Sequence, residues 1–509
     1  MSTDDGPRPG AYPEQADLLR HGPEGAAPFG EPQTVPVESI ALQEPLYVSP
    51  DTRLGDVARA LAAGSRSACL VGGPGALLGI VTERDVVRGL GEHGSGAASL
   101  AVSHVMTPRL VTVADTELTH EAALRMVEHG IRRLAVCTAA GHIRGLLEER
   151  HLLAAGRETP LAVVAALDEA RDVAALREAF AGVRGFLLRM ASAGLPAARV
   201  ARIAAQLHDR VLLRTLDMTV AAMPVAPPAP FALALLGSHA RREQFFATDQ
   251  DCAWVISDAS GDVPEAVNDQ WFAQCGGSFA QMLQGVGVPP CPHGVMPSFA
   301  VWRRTVASWC VAVDAAFERP GSEGVLLVST LVDTRGLHDR YGLCARVTEH
   351  LHRRAREHPL LLRYMAREAL RYPPPLGLFR GLAVERGPHG SETVDIKTGG
   401  VFAIMQGVRA MALDARLDVT DTPGRLQALG EAGVMRPALV ADVLHAWGVL
   451  LGMRLREQVE ALRLGREPSN RVDVQVLAPL ERETLRQCFK VVAELQAFLE
   501  ERYRLQYLG

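Results

Sequence analysis

The spacing of apolar and polar residues changes along the chain and predicts several kinds of domain. Between about residues 34 and 157, amphipathic helical stretches flank short apolar strands. Residues 158–223 place alanine, leucine and arginine at helical spacing, with breaks at Pro160 and Pro196. The proline-rich stretch "MPVAPPAPF" then precedes the continuous apolar run "FALALLG", which predicts a buried strand after a stiff linker. Beyond about residue 346 the pattern is again helical, as in "PALVADVLHAWGVLLGMRLREQVEALRLG".

An internal repeat occupies the first of these regions. "VSPDTRLGDVARALAAG" recurs as "VTVADTELTHEAALRMVEHG", so that Asp51 aligns with Asp115 and Arg84 with Arg150. Each copy predicts a helix, an apolar strand, a turn, a second strand and a helix. The arrangement resembles a tandem pair of CBS (cystathionine-beta-synthase) domains, at about residues 34–93 and 98–157.

This resemblance implies a cleft for an adenine nucleotide. The nucleotide-binding motif ends its second strand with Thr or Ser and places Asp three residues later, where the carboxylate can bind ribose hydroxyls. Thr82 and Asp85 match it in the first copy, whereas Glu148 and His151 stand in the second. We therefore expect at most one good nucleotide site. The alternative is a pair that only transmits a signal or dimerises, and a homodimer through the CBS pair is expected.

Two carboxylates follow a small-residue turn in "LLGSHARREQFFATDQDCAWVI". If the second part is a strand, Asp249 and Asp251 project from one face while Gln250 points away. Adjacent carboxylates repel each other unless a divalent cation or abundant water offsets their charge. The pattern therefore indicates either a Mg²⁺ site or a solvated strand edge.

Nucleotidyl transfer needs such an arrangement. Two Mg²⁺ ions held by shared carboxylates would bridge the attacking oxygen and the α-phosphate of a nucleoside triphosphate. Gly237 would let backbone N–H groups approach the phosphates, and the Ser238 hydroxyl would add a donor. Arg241 or Arg242 could clamp phosphate oxygens. A third carboxylate is expected from Asp333, at the end of the apolar run "GVLLVSTLVD", which we predict to be a strand.

Further candidate residues lie outside this stretch. Lysine is rare, since only Lys397 and Lys490 occur, and Lys397 in "DIKTGG" could reach the phosphates or the acceptor. The alternative for Lys397 is a surface salt bridge to Asp395. Cys291 and His293 in "PPCPHG" could be metal ligands or a thiol nucleophile, but packing of a rigid loop is favoured.

The acid-pair segment resembles the nucleotidyltransferase domain of the polymerase-beta superfamily. It is most similar to proteins related to the N-terminal part of protein-PII uridylyltransferase, which bacteria often join to CBS pairs. Ala240 replaces a glycine that is usual there. The stretches "PPPLGLFRGL" and "DIKTGGVFAIMQGVRAMAL" resemble the helical substrate-binding domain that follows in this family. The matching residues of the motif are Gly237, Ser238, Arg241, Glu243, Gln244, Asp249 and Asp251.

The expected fold is therefore multidomain, α/β and α: a tandem CBS pair, a helical linker, a mixed-sheet polymerase-beta-like nucleotidyltransferase domain and a C-terminal helical bundle. The predicted ranges are a disordered arm (1–33), the CBS pair (34–157), a helical segment (158–223), the nucleotidyltransferase domain (224–345) and the substrate-binding domain (346–509).

Composition narrows the function. An apolar fraction of 48% and a charged fraction of 22% are typical of a soluble globular protein of 509 residues. The net charge of −5 provides no field to recruit nucleic acid or anionic lipid. The eight scattered cysteines predict neither a disulfide nor a zinc framework, and a cytoplasmic location is expected.

Together these patterns predict an enzyme that transfers a nucleoside monophosphate from an NTP to an acceptor. A protein hydroxyl is favoured by the resemblance, with adenine-nucleotide binding to the CBS pair as regulation. The alternatives are a non-catalytic nucleotide-sensing signalling protein and transfer to a small molecule.

Overall fold

The computed structural model describes residues 36–508, apart from 41, 65, 74–75, 109, 154–159, 247–248, 259–264, 378–380 and 387–391. The predicted disordered arm, residues 1–33, lies outside the described residues. The described residues divide into two compact units, one ending at Ala166 and the other beginning at Leu167.

The first unit contains two small sheets of the same design. In each, the first strand pairs parallel to the second, and the second pairs antiparallel to the third; a short fourth strand pairs antiparallel to the third strand of the first sheet. This repeated order confirms the predicted tandem architecture. The elements are β1 (Tyr47–Val48), α1 (Leu54–Ala63), β2 (Ala68–Gly73), β3 (Ala76–Thr82), α2 (Glu83–His93), β4 (Thr107–Pro108), β5 (Thr112–Ala114), α3 (Thr119–His129), β6 (Arg133–Cys137), β7 (Ile143–Glu148) and α4 (Glu149–Leu153).

The helical spacing of apolar residues explains how α1 packs against the first sheet. In α1, Leu54, Val57 and Leu61 occupy one face and pack with Cys69 and Val81 of the sheet in one buried cluster. The amphipathic pattern read from the sequence is thus the face that the helix buries.

Three helices follow, of which two begin at or directly after the predicted proline breaks. They are α5 (Pro160–Glu169), α6 (Val173–Ser192) and α7 (Ala197–Ala221). Pro160 is the first residue of α5 and Pro196 immediately precedes α7, because proline is compatible with a helix start but not with its interior.

A four-stranded mixed sheet of order β10-β9-β8-β11 forms the centre of the second unit. β8 and β9 are antiparallel and every residue in them is buried, which explains their continuous apolar runs. The elements of this region are β8 (Phe231–Leu235), α8 (Gly237–Arg241), β9 (Cys252–Ile256), α9 (Glu265–Val286), β10 (Arg303–Thr305), α10 (Val306–Glu318), α11 (Ser322–Leu331) and β11 (Arg335–His338).

One predicted strand is a helix. "GVLLVSTLVD" forms most of α11, and the strand begins only at Arg335. Val325, Val328 and Leu331 are buried while Leu326 is 60% exposed, which is helical spacing. A short apolar run does not by itself distinguish the two states, and the prediction of a strand here was wrong.

The remaining elements form a mainly helical region with a small antiparallel sheet, β12-β13-β14. They are α12 (Leu343–Glu357), α13 (Pro359–Glu368), β12 (Glu385–Arg386), β13 (Glu392–Asp395), a π-helical turn (Lys397–Phe402), α14 (Ala403–Asp414), α15 (Thr422–Glu431), α16 (Pro437–Arg463), β14 (Arg471–Asp473) and α17 (Pro479–Tyr503). Among the described helices, α16 alone is long and apolar enough to cross a membrane, but 56% of its most apolar stretch is buried inside the fold.

Candidate functional site

A backbone hydrogen bond connects the Gly-Ser turn, which follows β8, to the acid pair, which precedes β9. The N–H of Leu236 donates to the carbonyl oxygen of Asp251 at 3.0 Å. Gly237 follows with φ +57°, and a methyl group at its Cα would lie 3.4 Å from Asp251 Oδ2. The glycine therefore permits both the left-handed turn and the close approach to the carboxylate. The Ser238 side chain, in the same turn, is partly exposed.

The acid pair lies immediately before β9 rather than within it, which corrects the predicted strand assignment. The expected alternation is nevertheless present. Asp249 and Asp251 are partly exposed, whereas Gln250 is 1% exposed and its Nε2 donates to the carbonyls of Ala280 (3.1 Å) and Val288 (2.9 Å). Anchoring of the intervening amide directs both carboxylates to the other side.

Cys291 is the third member of this cluster. One ligand atom each from Asp249, Asp251 and Cys291 lies within 4.8 Å of the others. The Cys291 thiol donates a hydrogen bond to Asp251. The loop that carries it is attached to the sheet, because the N–H of Cys252 donates to the carbonyl of Val295 at 3.2 Å. The preference for loop packing alone therefore missed a polar contact of Cys291.

The protein only partly compensates the negative charges of Asp249 and Asp251. Burial and the neighbouring Asp249 raise the pKa of Asp251 to about 6, although the Cys291 thiol opposes this shift. Burial also raises the pKa of Asp249, against the influence of Lys397 and His293. A bound cation would remove this penalty, which is what a metal site requires.

Lys397 lies within electrostatic reach of the acid pair. Desolvation and the Arg454 guanidinium lower the pKa of its ammonium, while Asp249, Asp395 and Asp251 act in the opposite sense. Asp395 does not form the predicted alternative salt bridge. It caps the helical turn instead, since its carboxylate accepts the N–H groups of Lys397 and Thr398, both at 2.9 Å.

Arg454 of α16 is the second cation in this region. Its Nε donates to Asn470 Oδ1 at 2.8 Å, and its guanidinium carbon lies 5.7 Å from the centre of the Phe245 ring. These contacts fix the side chain near Lys397, whose pKa the guanidinium lowers.

Asp333 is not a ligand in this cluster, contrary to the sequence-based expectation. Its side chain is completely buried, and Arg241, Arg409 and Arg425 all pair with its carboxylate, Arg425 at 2.6 Å. Burial alone would raise the pKa of Asp333, but the three guanidinium groups hold it well below its usual range. Both oxygens are occupied by internal partners, so we assign Asp333 a structural role.

The predicted phosphate role of Arg241 is corrected for the same reason. Its guanidinium is buried between Asp333 and Glu243, and Nε donates to Glu243 Oε2 at 2.7 Å. It still acts on the site indirectly, because its charge lowers the pKa of Asp251. The charged neighbours of exposed Arg242 are Arg335, Asp209 and Asp421 rather than the acid pair.

The remaining motif residues also anchor the fold. Glu243 Oε1 accepts the backbone N–H of Thr422 at 2.7 Å, at the start of α15. The Gln244 amide bonds His208 Nδ1 at 3.0 Å. Of the matched motif, Gly237, Ser238 and the acid pair line the site, whereas Arg, Glu and Gln hold it in place.

One feature of the sequence could have indicated that buried charged residues stabilise this part of the fold. Arg409 and Gln406 interrupt the apolar helix α14, in which every residue from Ala403 to Leu413 is buried. A charged residue inside such a run needs a buried partner, and here Arg409 pairs with Asp333 and with Gln406 Oε1 (2.8 Å). Its partner could not be named from the sequence.

In the first unit, Thr82 and Asp85 adopt a capping box at the start of α2. Asp85 Oδ2 accepts the Thr82 N–H at 2.9 Å and its hydroxyl at 2.7 Å, while Arg88 pairs with Oδ1 at 2.7 Å. In the second copy, the N–H of Glu148 donates to His151 Nδ1 at 3.1 Å, so His151 replaces Asp85 in the local geometry.

Family models match three parts of this chain. The "CBS domain" matches residues 37–92 and 102–158, "Putative nucleotidyltransferase DUF294" matches 182–323, and "Putative nucleotidyltransferase substrate binding domain" matches 359–503. The chain therefore carries a CBS pair followed by the two domains of this nucleotidyltransferase family. The predicted domain types are confirmed, while the relation to protein-PII uridylyltransferase stays a prediction.

Solved structures resemble the CBS region. They include the CBS-domain containing protein ATU1752 from Agrobacterium tumefaciens, at 26% identity over 22% of this chain and 90% of that chain, with a TM-score of 0.21. Another is the CBS domain protein PAE2072 from Pyrobaculum aerophilum complexed with AMP, at 23% identity over 26% and 100% of the two chains, with a TM-score of 0.23. No curated protein matches the chain.

The raised pKa of Asp251 predicts how the free energy of unfolding of the metal-free protein depends on pH. Because the folded-state pKa lies near 6, above the usual value of about 3.9, the penalty on the folded state is absent below about pH 4, grows between about pH 4 and pH 6 and is complete above pH 6. We expect Asp251→Asn to raise the free energy of unfolding by about 2 kcal/mol at pH 8 and by little at pH 4.

Chelator-treated protein and denaturant titrations at both pH values provide the measurement. Asp442→Asn is the matched control because Asp442 is exposed, and its effect should be small at both pH values. An equal effect of Asp251→Asn at pH 4 and pH 8 would contradict the electrostatic explanation.

The three-arginine cluster predicts a large stability loss for Asp333→Asn. The substitution leaves three buried guanidinium groups without their shared counter-charge, and loss of one partner of a buried ion pair costs about 3–5 kcal/mol. Asp314→Asn, which removes a partly exposed pair with Arg354, should cost under about 1 kcal/mol. Comparable losses in denaturant unfolding would show that Asp333 is not a special anchor.

Proposed function

We propose that the protein is a Mg²⁺-dependent nucleotidyltransferase that moves a nucleoside monophosphate from an NTP to an acceptor. The observation that carries this proposal is a pair of neighbouring carboxylates beside a glycine turn, with the Lys397 ammonium within electrostatic reach. Asp249 and Asp251 would bind the metal, and Lys397 and Arg454 would bind phosphate oxygens. A solvated strand edge does not explain why the partly buried carboxylates lie beside a glycine turn and near one of the two lysines of the chain.

The donor atoms fit Mg²⁺ only in part. Two carboxylates suit this hard cation, which usually keeps waters and takes further oxygens from substrate phosphates. With Asp333 paired internally, the described residues provide two carboxylates rather than three. We therefore propose one protein-held Mg²⁺ and a second ion only if the triphosphate supplies most of its ligands.

The proposed reaction is an in-line displacement at the α-phosphorus. A bond forms between the acceptor oxygen and phosphorus, the bond to the β-phosphate oxygen breaks, pyrophosphate leaves with the electron pair, and the hydroxyl proton passes to solvent. When bound, Mg²⁺ would neutralise phosphate charge. Lys397 and Arg454 would stabilise the charge on the departing pyrophosphate, and Ser238 would donate to a phosphate oxygen.

A protein hydroxyl is the favoured acceptor, to be uridylylated or adenylylated. This choice rests on the resemblance to the uridylyltransferase group, and a small-molecule acceptor is the competing choice. A cytoplasmic location fits the NTP substrate and the eight free cysteines. A purely regulatory nucleotide binder is the remaining alternative, and turnover distinguishes it.

The transferase proposal is tested with α-labelled ATP or UTP, Mg²⁺ and cell extract as the acceptor source. We expect pyrophosphate release and labelled acceptor, both reduced about 100-fold or more in Asp249→Asn/Asp251→Asn, because the metal no longer has its ligands. Lys397→Met should raise KM for the NTP about 10-fold or more, since a charge-assisted contact is lost.

Lys490→Met is the matched control, because Lys490 is the other lysine of the chain and lies on α17, where its charge acts on Glu483. It should leave KM unchanged. The protein would be a nucleotide binder rather than an enzyme if the wild type bound NTP but released pyrophosphate only at the background rate, as the double variant does.

We also propose that the first CBS copy binds an adenine nucleotide through Thr82 and Asp85. The capping box places both polar side chains at the start of α2, where the helix dipole favours phosphate. The Arg88 side chain that pairs with Asp85 is 48% exposed, so it can move aside for ribose hydroxyls.

Calorimetric titration of the full chain with AMP and ATP tests this site. Asp85→Ala should weaken binding about 10-fold or more, because a buried carboxylate acceptor is lost. His151→Ala, the corresponding change in the second copy, should have little effect. If His151→Ala weakened binding more than Asp85→Ala, the nucleotide site would lie in the second copy. If neither AMP nor ATP produced binding heat, the proposal that the CBS pair senses adenine nucleotides would be rejected.

A further inference from the structure

The Cys291 thiol belongs to the same group of ligand atoms as the two carboxylates. Its side chain is 6% exposed and donates its hydrogen bond to Asp251, so the sulfur faces the acid pair. Asp249, Asp251 and Cys291 together offer two oxygens and one sulfur within 4.8 Å. This mixed set differs from the all-oxygen set that Mg²⁺ prefers.

The loop geometry holds the sulfur in this position. Three prolines flank the cysteine in "PPCPHG", and the N–H of Gly294 donates to the Cys291 carbonyl at 3.0 Å. Gly237, whose Cα lies close to the Asp251 carboxylate, contributes no side chain. The prolines therefore restrict the loop that carries the sulfur, while the glycine adds no bulk beside Asp251.

We infer that Asp249, Asp251 and Cys291 form a three-ligand site for a thiophilic divalent cation of the Zn²⁺ class. Three protein ligands leave the fourth tetrahedral position to water or to a substrate oxygen. Binding breaks the S–H bond, forms the metal–sulfur bond and releases the proton to solvent. Mg²⁺ would leave the thiol protonated, so the two classes of cation use the same carboxylates differently and compete.

Zinc-class ions would consequently displace Mg²⁺ from the acid pair. This inference goes beyond the transferase proposal and does not require turnover. It predicts a metal-binding behaviour of the isolated, nucleotide-free chain.

Cobalt titration tests the site directly. Co²⁺ added to the full-length, chelator-treated protein should produce a near-ultraviolet thiolate-to-cobalt charge-transfer band that saturates near one equivalent and disappears on addition of Zn²⁺. Cys291→Ser should abolish the band and weaken Zn²⁺ binding by at least the roughly 10–100-fold that loss of even an outer-shell partner costs. Cys310→Ser, on α10, is the matched control and should retain the band.

Each result decides the question. Cobalt binding by wild-type protein without a charge-transfer band, or a band that persists in Cys291→Ser, would overturn the inference, and the wild-type spectrum alone suffices if the variant does not fold. Asp251→Asn should also weaken the complex. The cobalt titration contains no NTP, so the charge-transfer band can appear even if the protein is not a transferase. If the protein is an active Mg²⁺-dependent transferase but shows no band, only the inference of a thiophilic site is rejected.

Discussion

The buried carboxylate of Asp333 is the contact on which the architecture of the second unit depends. It lies between α11 and β11 and pairs with arginines from three helices, Arg241 of α8, Arg409 of α14 and Arg425 of α15. One charge thereby connects the central sheet to the helical region. A cluster of this kind is expensive to desolvate, and it is tolerated because each partner satisfies the others through good geometry.

The same cluster determines where the candidate site can lie. Arg241 is held by Asp333 and Glu243, and α8 begins at Gly237, beside Asp251. The helical region in turn supplies Lys397 and Arg454. The candidate site therefore combines acids that precede β9 with Lys397 from the helical region, and the Asp333 salt-bridge cluster connects these two parts of the unit.

The acid pair has an electrostatic cost that a bound cation would reduce. Burial raises the pKa of both carboxylates and the charge of Asp249 raises that of Asp251 further, while Lys397 and the Cys291 thiol offset these shifts only partly. A cation bound there, as we propose, would restore the stability lost in the metal-free protein. The sulfur in the cluster would let the site distinguish hard from thiophilic ions, which two carboxylates alone would not.

The sequence by itself determined the repeated CBS architecture, the buried strands β8 and β9 and the pairing of Asp249 with Asp251, because these follow from local periodicity and short motifs. It could not distinguish helix from strand in the apolar run of α11, nor tell which carboxylate would remain open to a metal. Tertiary structure decided that Asp333 serves three arginines, that Arg241 is an anchor and that Cys291 joins the acids. Those outcomes depend on contacts between residues far apart in the chain, whose partners no local pattern specifies.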